Sequence, residues 1–454
     1  MTNPTNTSVG QKTTPAFSAA NLSGPTLAVA AVVIALGVRY FHFIWKYSVN
    51  VLYFDQWDFL TPLFEERTGV VSLFLRQHGP HREGLGLVAD KILYLATGWN
   101  ARAESFMIGG VIFGAMLLAL LLKRKLLGRL TYSDVVIPFI FLSLVQFETL
   151  IGTPNAAYSG IPLLLILLYC LTLLQRRFVL KYALLLLINF LLIYTGMGIF
   201  MGAVTIGILS LECYRRLRHW RTVPLLASIG ALVAASASLA SFFISYRFRP
   251  AVVCFEFPYR HLMAYPRFMA IMSASFLGPT GPMVLLITAG IVIVIFSLVV
   301  LGIQITRLAT GEQIQEVHLV ITALLAYGLL FLANTAVGRV CLGPEAALAS
   351  RYTTLLVPLF LALYLYLASL PASALQKIMV AGFVIVMVPG ALRLHPAARW
   401  FSDGKRAWVS CYVRTEDIEY CDQSTHFKIY PDPPHTGLKQ KLDYLKARRL
   451  NLFQ

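Results

Sequence analysis

The chain has 454 residues, of which 57% are hydrophobic and only 13% charged, and its mean hydropathy is +0.70. Soluble domains carry roughly 25% charged residues, so this composition excludes a water-soluble globular protein. The formal net charge of +17 sits in short clusters between apolar runs, with no separate basic helix or aromatic-basic module, which argues against nucleic-acid binding and reads as membrane topology.

Residues 1–24 are rich in Thr, Asn and Ser and lack apolar periodicity. They are expected to form a disordered cytoplasmic tail rather than a signal peptide, since Lys12 is the only basic residue and no small-residue cleavage site follows. Apolar runs then predict membrane spans at Leu27–Ile44, Ser105–Leu122, Val135–Leu150, Tyr158–Leu174, Tyr182–Tyr194, Met197–Leu211, Val223–Tyr246, Met283–Thr306, Leu319–Leu332, Tyr352–Leu370 and Ile378–Leu392. A crossing takes about 20 residues. The expected fold is therefore an all-α polytopic membrane protein of about eleven transmembrane helices (about ten to twelve), with a membrane domain over residues 25–392. The pair at 182–211, joined by Thr195-Gly196, reads either as two short helices or as one re-entrant hairpin; both return the chain to the same side.

Basic clusters fix the expected orientation. Lys123, Arg124, Lys125 and Arg129 follow the second span, Arg176, Arg177 and Lys181 the fourth, and Arg215, Arg216, Arg218 and Arg221 the sixth. The opposite links, 152–157 and 195–196, carry no Lys or Arg. The positive-inside rule puts the N-terminus in the cytoplasm and the C-terminus outside. Residues 45–104, the stretch Arg247–Pro282, a shorter loop Ala333–Arg351 and a tail at 393–454 are then outer segments. Cys411 and Cys421, ten positions apart in that tail, are expected to form a disulfide if the tail is extracytoplasmic; the alternative is two unrelated thiols. Cys170 and Cys213 lie in or beside apolar runs as small hydrophobes. After Pro431, Pro433 and Pro434, the stretch Thr436–Leu450 has the pattern of a basic amphipathic helix lying on the bilayer.

Chemistry concentrates in the outer segments. Asp55-Gln56-Trp57-Asp58 places two carboxylates three apart among aromatic residues, just after the first span. Thr61 and Pro62 read as an N-cap and first helical position, so the aspartates are expected on the turn into an interfacial helix. A carboxylate beside a low-dielectric layer holds a proton more tightly and serves as a base toward a hydroxyl; the plainer reading is a capping Asp and a solvated Asp in an aromatic belt. Arg76-Gln77-His78-Gly79-Pro80-His81-Arg82-Glu83 has the residue types to hold a phosphate through charge-assisted hydrogen bonds. The alternatives are a turn facing lipid headgroups and a divalent-metal site of His78, His81 and the aspartates, although the spacing matches no strong metal motif, so no metal ligand is assigned. Ser350-Arg351-Tyr352 opens the tenth span, where Arg351 either snorkels or reaches an anionic substrate. Arg339 lies in the same loop, and Arg247, Arg249, Arg260 and Arg267 in another, an unusual density for outer loops. Glu148 is an ionisable group near the end of its span. No nucleotide-binding or serine-hydrolase motif has a supporting context.

These motifs and their order resemble the GT-C class of membrane glycosyltransferases. The chain is more closely similar to uncharacterised bacterial polytopic membrane proteins related to that class, which carry an Asp-x-Trp-Asp-like segment (here Asp55 to Asp58) and a Gln-His-x-x-His-Arg segment (here Gln77 to Arg82) in the first outer loop. They also have an Arg-Tyr pair opening a late span, here Arg351-Tyr352, and a tail with two cysteines and a Tyr-Pro step, here Cys411, Cys421 and Tyr430-Pro431. Gly79-Pro80 departs from the Asn-Glu expected there, removing a carboxylate. The resemblance implies a bacterial inner-membrane enzyme of the cell envelope. It would transfer a hexosyl or pentosyl group from a polyprenyl-phosphate donor to an extracytoplasmic glycan or lipid acceptor. Asp55 or Asp58 would be the base, and His78, His81, Arg82, Arg351 and Tyr352 would bind the phosphate. The implied partners are the lipid-linked donor and membrane lipids, with no cofactor. The rival readings are a surface-polysaccharide ligase or polymerase, and a non-enzymatic transporter or flippase, which would need functional charges deep in the spans.

Overall fold

The computed structural model describes residues 23–65, 68–218, 222–250, 252–278, 281–310, 315–431 and 437–454. The first 22 residues, expected to be a disordered tail, as well as Arg221, Pro433 and Pro434, lie outside them. The regular structure of the described residues is almost entirely helical. Its helices are α1 (Gly24–Tyr47), α2 (Gln56–Phe59), α3 (Val70–Phe74), α4 (Gly84–Thr97), α5 (Ala101–Leu127), α6 (Val136–Phe141), α7 (Gly160–Leu173), α8 (Phe178–Ile193), α9 (Ile199–Arg218) and α10 (Thr222–Ser241). They continue as α11 (Ala264–Ser275), α12 (Met283–Thr310), α13 (Glu316–Arg339), α14 (Thr353–Ser369), α15 (Ala374–Leu392), α16 (Ala397–Thr415), α17 (Ile418–Thr425) and α18 (Leu438–Ala447). The described sheet is one hairpin of two-residue strands, β1 (Gln77–His78) and β2 (His81–Arg82).

Six segments are long and apolar enough to cross a membrane: Gly24–Tyr47, Ala101–Leu127, Met283–Thr310, Glu316–Leu342, Ser350–Ser369 and Ala374–Thr415. Their surroundings differ. The apolar stretch of α14 is 89% buried, whereas that of α12 is only 17% buried. α12 therefore turns Val284, Leu285, Val292, Ile295 and Leu298 outward, an apolar surface suited to lipid. α1 shows the same logic on a smaller scale. Leu36, Tyr40, Phe43, Ile44 and Tyr47 recur on one buried face, while Ile34 and Val38 point out. Pro25 opens that helix at a position where a missing N–H costs nothing. Asn100 caps α5, its side chain accepting from the amides of Arg102 and Ala103 at 3.0 and 3.3 Å.

Three features of the membrane domain differ from the expectations, and a fourth falls within the readings left open. The run Val135–Leu150 is not one continuous span: α6 has six residues, and tight turns at 144–146 and a wide turn at Glu148–Gly152 follow. The buried Gln146 amide compensates by donating to the freed carbonyls of Phe141 (2.7 Å) and Ser143 (3.2 Å), as backbone away from water requires. The outer segment Arg247–Pro282 is not all loop. It contains α11, whose residues 270–275 are buried against α12 and α13. α11 docks because Gly290 has no side chain: a Cβ there would lie 1.8 Å from the carbonyl oxygen of Ala270. The 182–211 pair forms two helices of 16 and 20 residues, α8 and α9. Thr61 caps no helix; Leu60 precedes a single 3₁₀ turn at Thr61–Leu63, and the Thr61 hydroxyl donates back to the Trp57 carbonyl at 3.0 Å.

Residues 393–454 are more than a small tail. α16, α17 and α18 pack on the first loop and build a second hydrophobic core around Trp57, Leu60, Tyr94, Trp99, Trp408, Cys421, Leu442 and Leu445. The predicted amphipathic helix exists as α18. Its apolar face does not meet lipid, because Leu438, Leu442 and Leu445 are buried in this core. The Trp408 indole donates to Asp422 at 2.8 Å, and the Asn451 amide donates to the Gly98 carbonyl at 3.0 Å. Cys411 and Cys421 are joined in a disulfide with Cα atoms 5.7 Å apart, and a second bridge joins Cys254 to Cys341. Cys170 and Cys213 are buried free thiols. The denatured, unreduced chain is expected to take up two alkyl groups and the reduced chain six, read by intact mass; six without reduction would contradict both bridges.

Candidate functional site

A cavity of about 340 Å³ lies where the first outer loop meets the ends of the long helices. It collects residues far apart in the sequence: Asp55, Asp58, His78, His81, Arg351 and Tyr352, together with Asn155, Tyr158 and Arg339. Each arrives by a local device. Asp55 precedes α2 and Asp58 lies within it. His78 and His81 face each other across the hairpin, with Gly79 at φ +55° in its turn. That turn accounts for Gly-Pro at 79–80: glycine adopts positive φ without the Cβ clash. Phe59 contacts the His78 ring edge-on at 6.1 Å, and Tyr158 the His81 ring at 5.4 Å.

The two aspartates have different partners. Asp58 accepts the Tyr430 hydroxyl at 2.7 Å, so its carboxylate is held by the C-terminal layer. Asp55 is exposed to the cavity, and its carboxylate makes no hydrogen bond or ion pair among the described residues. The two arginines divide in the same way. Arg351 pairs with Glu148 at 3.4 Å, and its backbone N–H donates to the same carboxylate at 3.2 Å. The Glu148 amide in turn donates to the Ser350 hydroxyl at 3.1 Å. The wide turn that interrupts the third apolar run is what brings Glu148 to this place. Arg339, the last residue of α13, has no hydrogen-bond or ion-pair partner among the described residues and faces His81 and Tyr158. Among the described residues, the cavity thus presents one free carboxylate and one free guanidinium.

Arg82 is not among the residues brought together. It is buried, and its guanidinium donates to the carbonyls of Phe242 (2.7 Å), Leu75 and Ile244. With these donors used, it ties the hairpin to the end of α10 instead of reaching an anion, which corrects its assignment as a phosphate ligand. Arg339 was visible as a basic outer residue, but no sequence signal separated it from its neighbours. Asn155 and Tyr158 gave none at all. Among the described residues no three His, Cys, Asp or Glu side chains gather closely enough to hold a metal ion.

Burial and the nearby Arg339 charge hold the His81 imidazole below its usual range, so it faces the cavity neutral. Behind the wall, Glu83 is buried and accepts from the Asn155 amide at 3.2 Å. Burial pushes its carboxyl up to about 7, against smaller opposing contributions from His78, Tyr158 and Asn155. A second apolar groove of about 230 Å³ shares Pro80, His81, Met197, Pro250, Arg339 and Tyr352 with the cavity. Its remaining walls include Phe200, Phe242, Phe243, Tyr246, Phe248 and Phe255. The chain matches no family model, no curated protein and no solved structure.

Glu83 gives a test of sign. Its folded pKa lies above its unfolded value, so the folded state binds the extra proton. The group then destabilises the fold progressively as pH rises through the ordinary carboxyl range to about 7, and no further above that. Glu83→Gln, which can keep the bond from Asn155, is expected to raise the melting temperature by a few degrees at pH 8 and to leave it unchanged at pH 4, measured by thermal denaturation of the purified protein.

Proposed function

We propose that this protein is a GT-C-like membrane glycosyltransferase that moves a sugar from a polyprenyl-phosphate donor to an acceptor hydroxyl on the extracytoplasmic side. The observation that carries this reading is the shared wall between the charged cavity and the aromatic groove. An amphipathic ligand with an anionic head and an apolar chain fits such a pair of compartments: the head beside Arg339, the chain along Phe242, Phe243 and Phe248. Asp55, the free carboxylate, takes the proton from the acceptor hydroxyl while its oxygen bonds to the anomeric carbon. The bond from that carbon to the phosphate oxygen breaks, and the leaving phosphate keeps the electron pair. Arg339 meets this growing negative charge, and Arg351 lines the same cavity. Direct attack by the acceptor inverts the anomeric centre. Asp58, held by Tyr430, fixes the turn that carries Asp55.

Eleven spans follow if the shorter apolar helices 132–146, 160–173, 178–193 and 225–241, together with α9, cross alongside the six long segments. An extracytoplasmic cavity agrees with two disulfides, one beside the cavity and one in the C-terminal layer, because such bonds persist in oxidising compartments. It agrees as well with the Arg and Lys clusters at 123–129, 176–181 and 215–218 on the cytoplasmic side of a bacterial inner membrane.

Asp55→Asn is expected to lower transfer by about 10²–10⁴-fold, the range for loss of a general base. Asp58→Asn still accepts from Tyr430 and is expected to lose far less. Arg339→Gln is expected to cost on the order of 10²-fold or more through the leaving phosphate. Mass analysis of host cell-envelope glycans, with membrane levels of each variant checked, reads these outcomes; unchanged glycans in Asp55→Asn would refute the enzyme reading. A cysteine at exposed Val71 is expected to react with a membrane-impermeant maleimide in intact cells. Reaction confined to inside-out vesicles would reverse the topology.

A further inference from the structure

The segment joining α10 to α11 has an unusual surface. Between Arg247 and Met263 it exposes Val253, Phe257 (67%), Leu262 (63%) and Met263 (80%). Arg247, Arg249 and Arg260 are exposed among them, and none of their guanidinium groups has a hydrogen-bond or ion-pair partner among the described residues. Glu256 is the only acid in the stretch. Its first part is anchored. The Arg247 amide donates to Gln77 at 3.1 Å, the Tyr246 hydroxyl donates to the Pro80 carbonyl at 3.0 Å, and Cys254 is bridged to Cys341 just beyond α13. Phe248, Pro250 and Phe255 line the aromatic groove. The segment is thus a roof with an inner face toward the groove and an outer face that is apolar and cationic.

We propose that this roof is inserted at the headgroup–acyl boundary of the adjoining leaflet, with its arginines on anionic lipid phosphates. The charge decides the occupant. Apolar side chains interleaved with unpaired arginines match a layer that is hydrocarbon below and phosphate above. The backbone sets the depth. From 252 to 263 its described hydrogen bonds are few, such as Phe255 N–H to the Val252 carbonyl at 3.2 Å and Tyr259 N–H to the Tyr265 hydroxyl at 2.6 Å. The remaining amides and carbonyls need water or headgroups, which rules out the hydrocarbon centre. The roof therefore lies in the boundary layer, above the groove, where lipid reaches its edge. This holds whether or not the site transfers a sugar.

The test uses the full chain in nanodiscs. An environment-sensitive nitrobenzoxadiazole label is placed on Leu262→Cys and, separately, on Phe257→Cys, with Ser410→Cys as an exposed control in α16. The native cysteines are bridged or buried. In an equimolar phosphatidylcholine–phosphatidylglycerol bilayer, dithionite is expected to reduce the labels at 257 and 262 at least about tenfold more slowly than the control, the factor that burying one large apolar side chain supplies. A nitroxide carried near the lipid headgroup is expected to quench both. Arg247→Gln, Arg249→Gln and Arg260→Gln together, or pure phosphatidylcholine, are expected to shrink that protection. Labels reduced as fast as the control would overturn insertion. Protection without nitroxide quenching would place a protein there and overturn it equally. Protection indifferent to lipid charge and to the three arginines would overturn the phosphate contacts.

Discussion

The acidic turn at the cavity depends on a clasp between the two ends of the chain. Tyr430 donates to Asp58, and Lys441 donates to the Trp57 carbonyl at 2.6 Å and to the Thr61 hydroxyl at 2.9 Å. α2 has four residues and the turn after it three, far below the length at which a helix stands alone in water. The segment keeps its shape because Trp57 and Leu60 are buried under α16 and α18, and because the Phe54 amide donates to the Ile429 carbonyl at 2.8 Å. The C-terminal layer is thus what makes a precise site out of a short loop. Its own disulfide, Cys411–Cys421, fixes α16 against α17 close to Trp408.

Pairing separates the charged residues of the cavity into those that shape it and those left to act. Glu148 and Arg351 hold each other across the interrupted third run and the start of α14, and Tyr430 holds Asp58. A charge committed in this way sets geometry. Asp55 and Arg339 line the same cavity with no hydrogen-bond or ion-pair partner for their charged groups among the described residues. Arg82 illustrates the other extreme, since its three backbone carbonyls turn a basic residue of a promising motif into a fastener between hairpin and helix.

Much of the helical layout was legible from apolar runs, because burial in lipid or protein demands continuous apolar stretches. Where the runs failed, they failed for identifiable reasons. α11 is twelve residues long and contains Pro266 and Arg267, so its hydropathy resembles that of a loop; its burial comes from Gly290, an interaction with a residue some twenty positions away. The break after α6 is invisible because the sequence stays apolar across it, and only the buried Gln146 hints at carbonyls needing donors. Asp55, His78, His81 and Arg351 stand out in the sequence by residue type and line one cavity, but distinguishing Asp55 from Asp58, or Arg339 from Arg82, needs the identity of each partner. Spacing along the chain carries no such information. Cys254 and Cys341 escaped notice because 87 positions separate them.

The contrast between α14 and α12 bears on how this sequence is free to change. α12 turns most of its side chains to hydrocarbon, so one bulky aliphatic residue there serves nearly as well as another. α14 meets protein on every side, and Gly328 of α13 lies so close to it that a methyl group would come within 2.8 Å of Leu359. Drift is cheap along the first helix and confined to volume-matched exchanges along the second. Two membrane-length apolar helices are therefore expected to tolerate substitution very differently, according to what each one packs against.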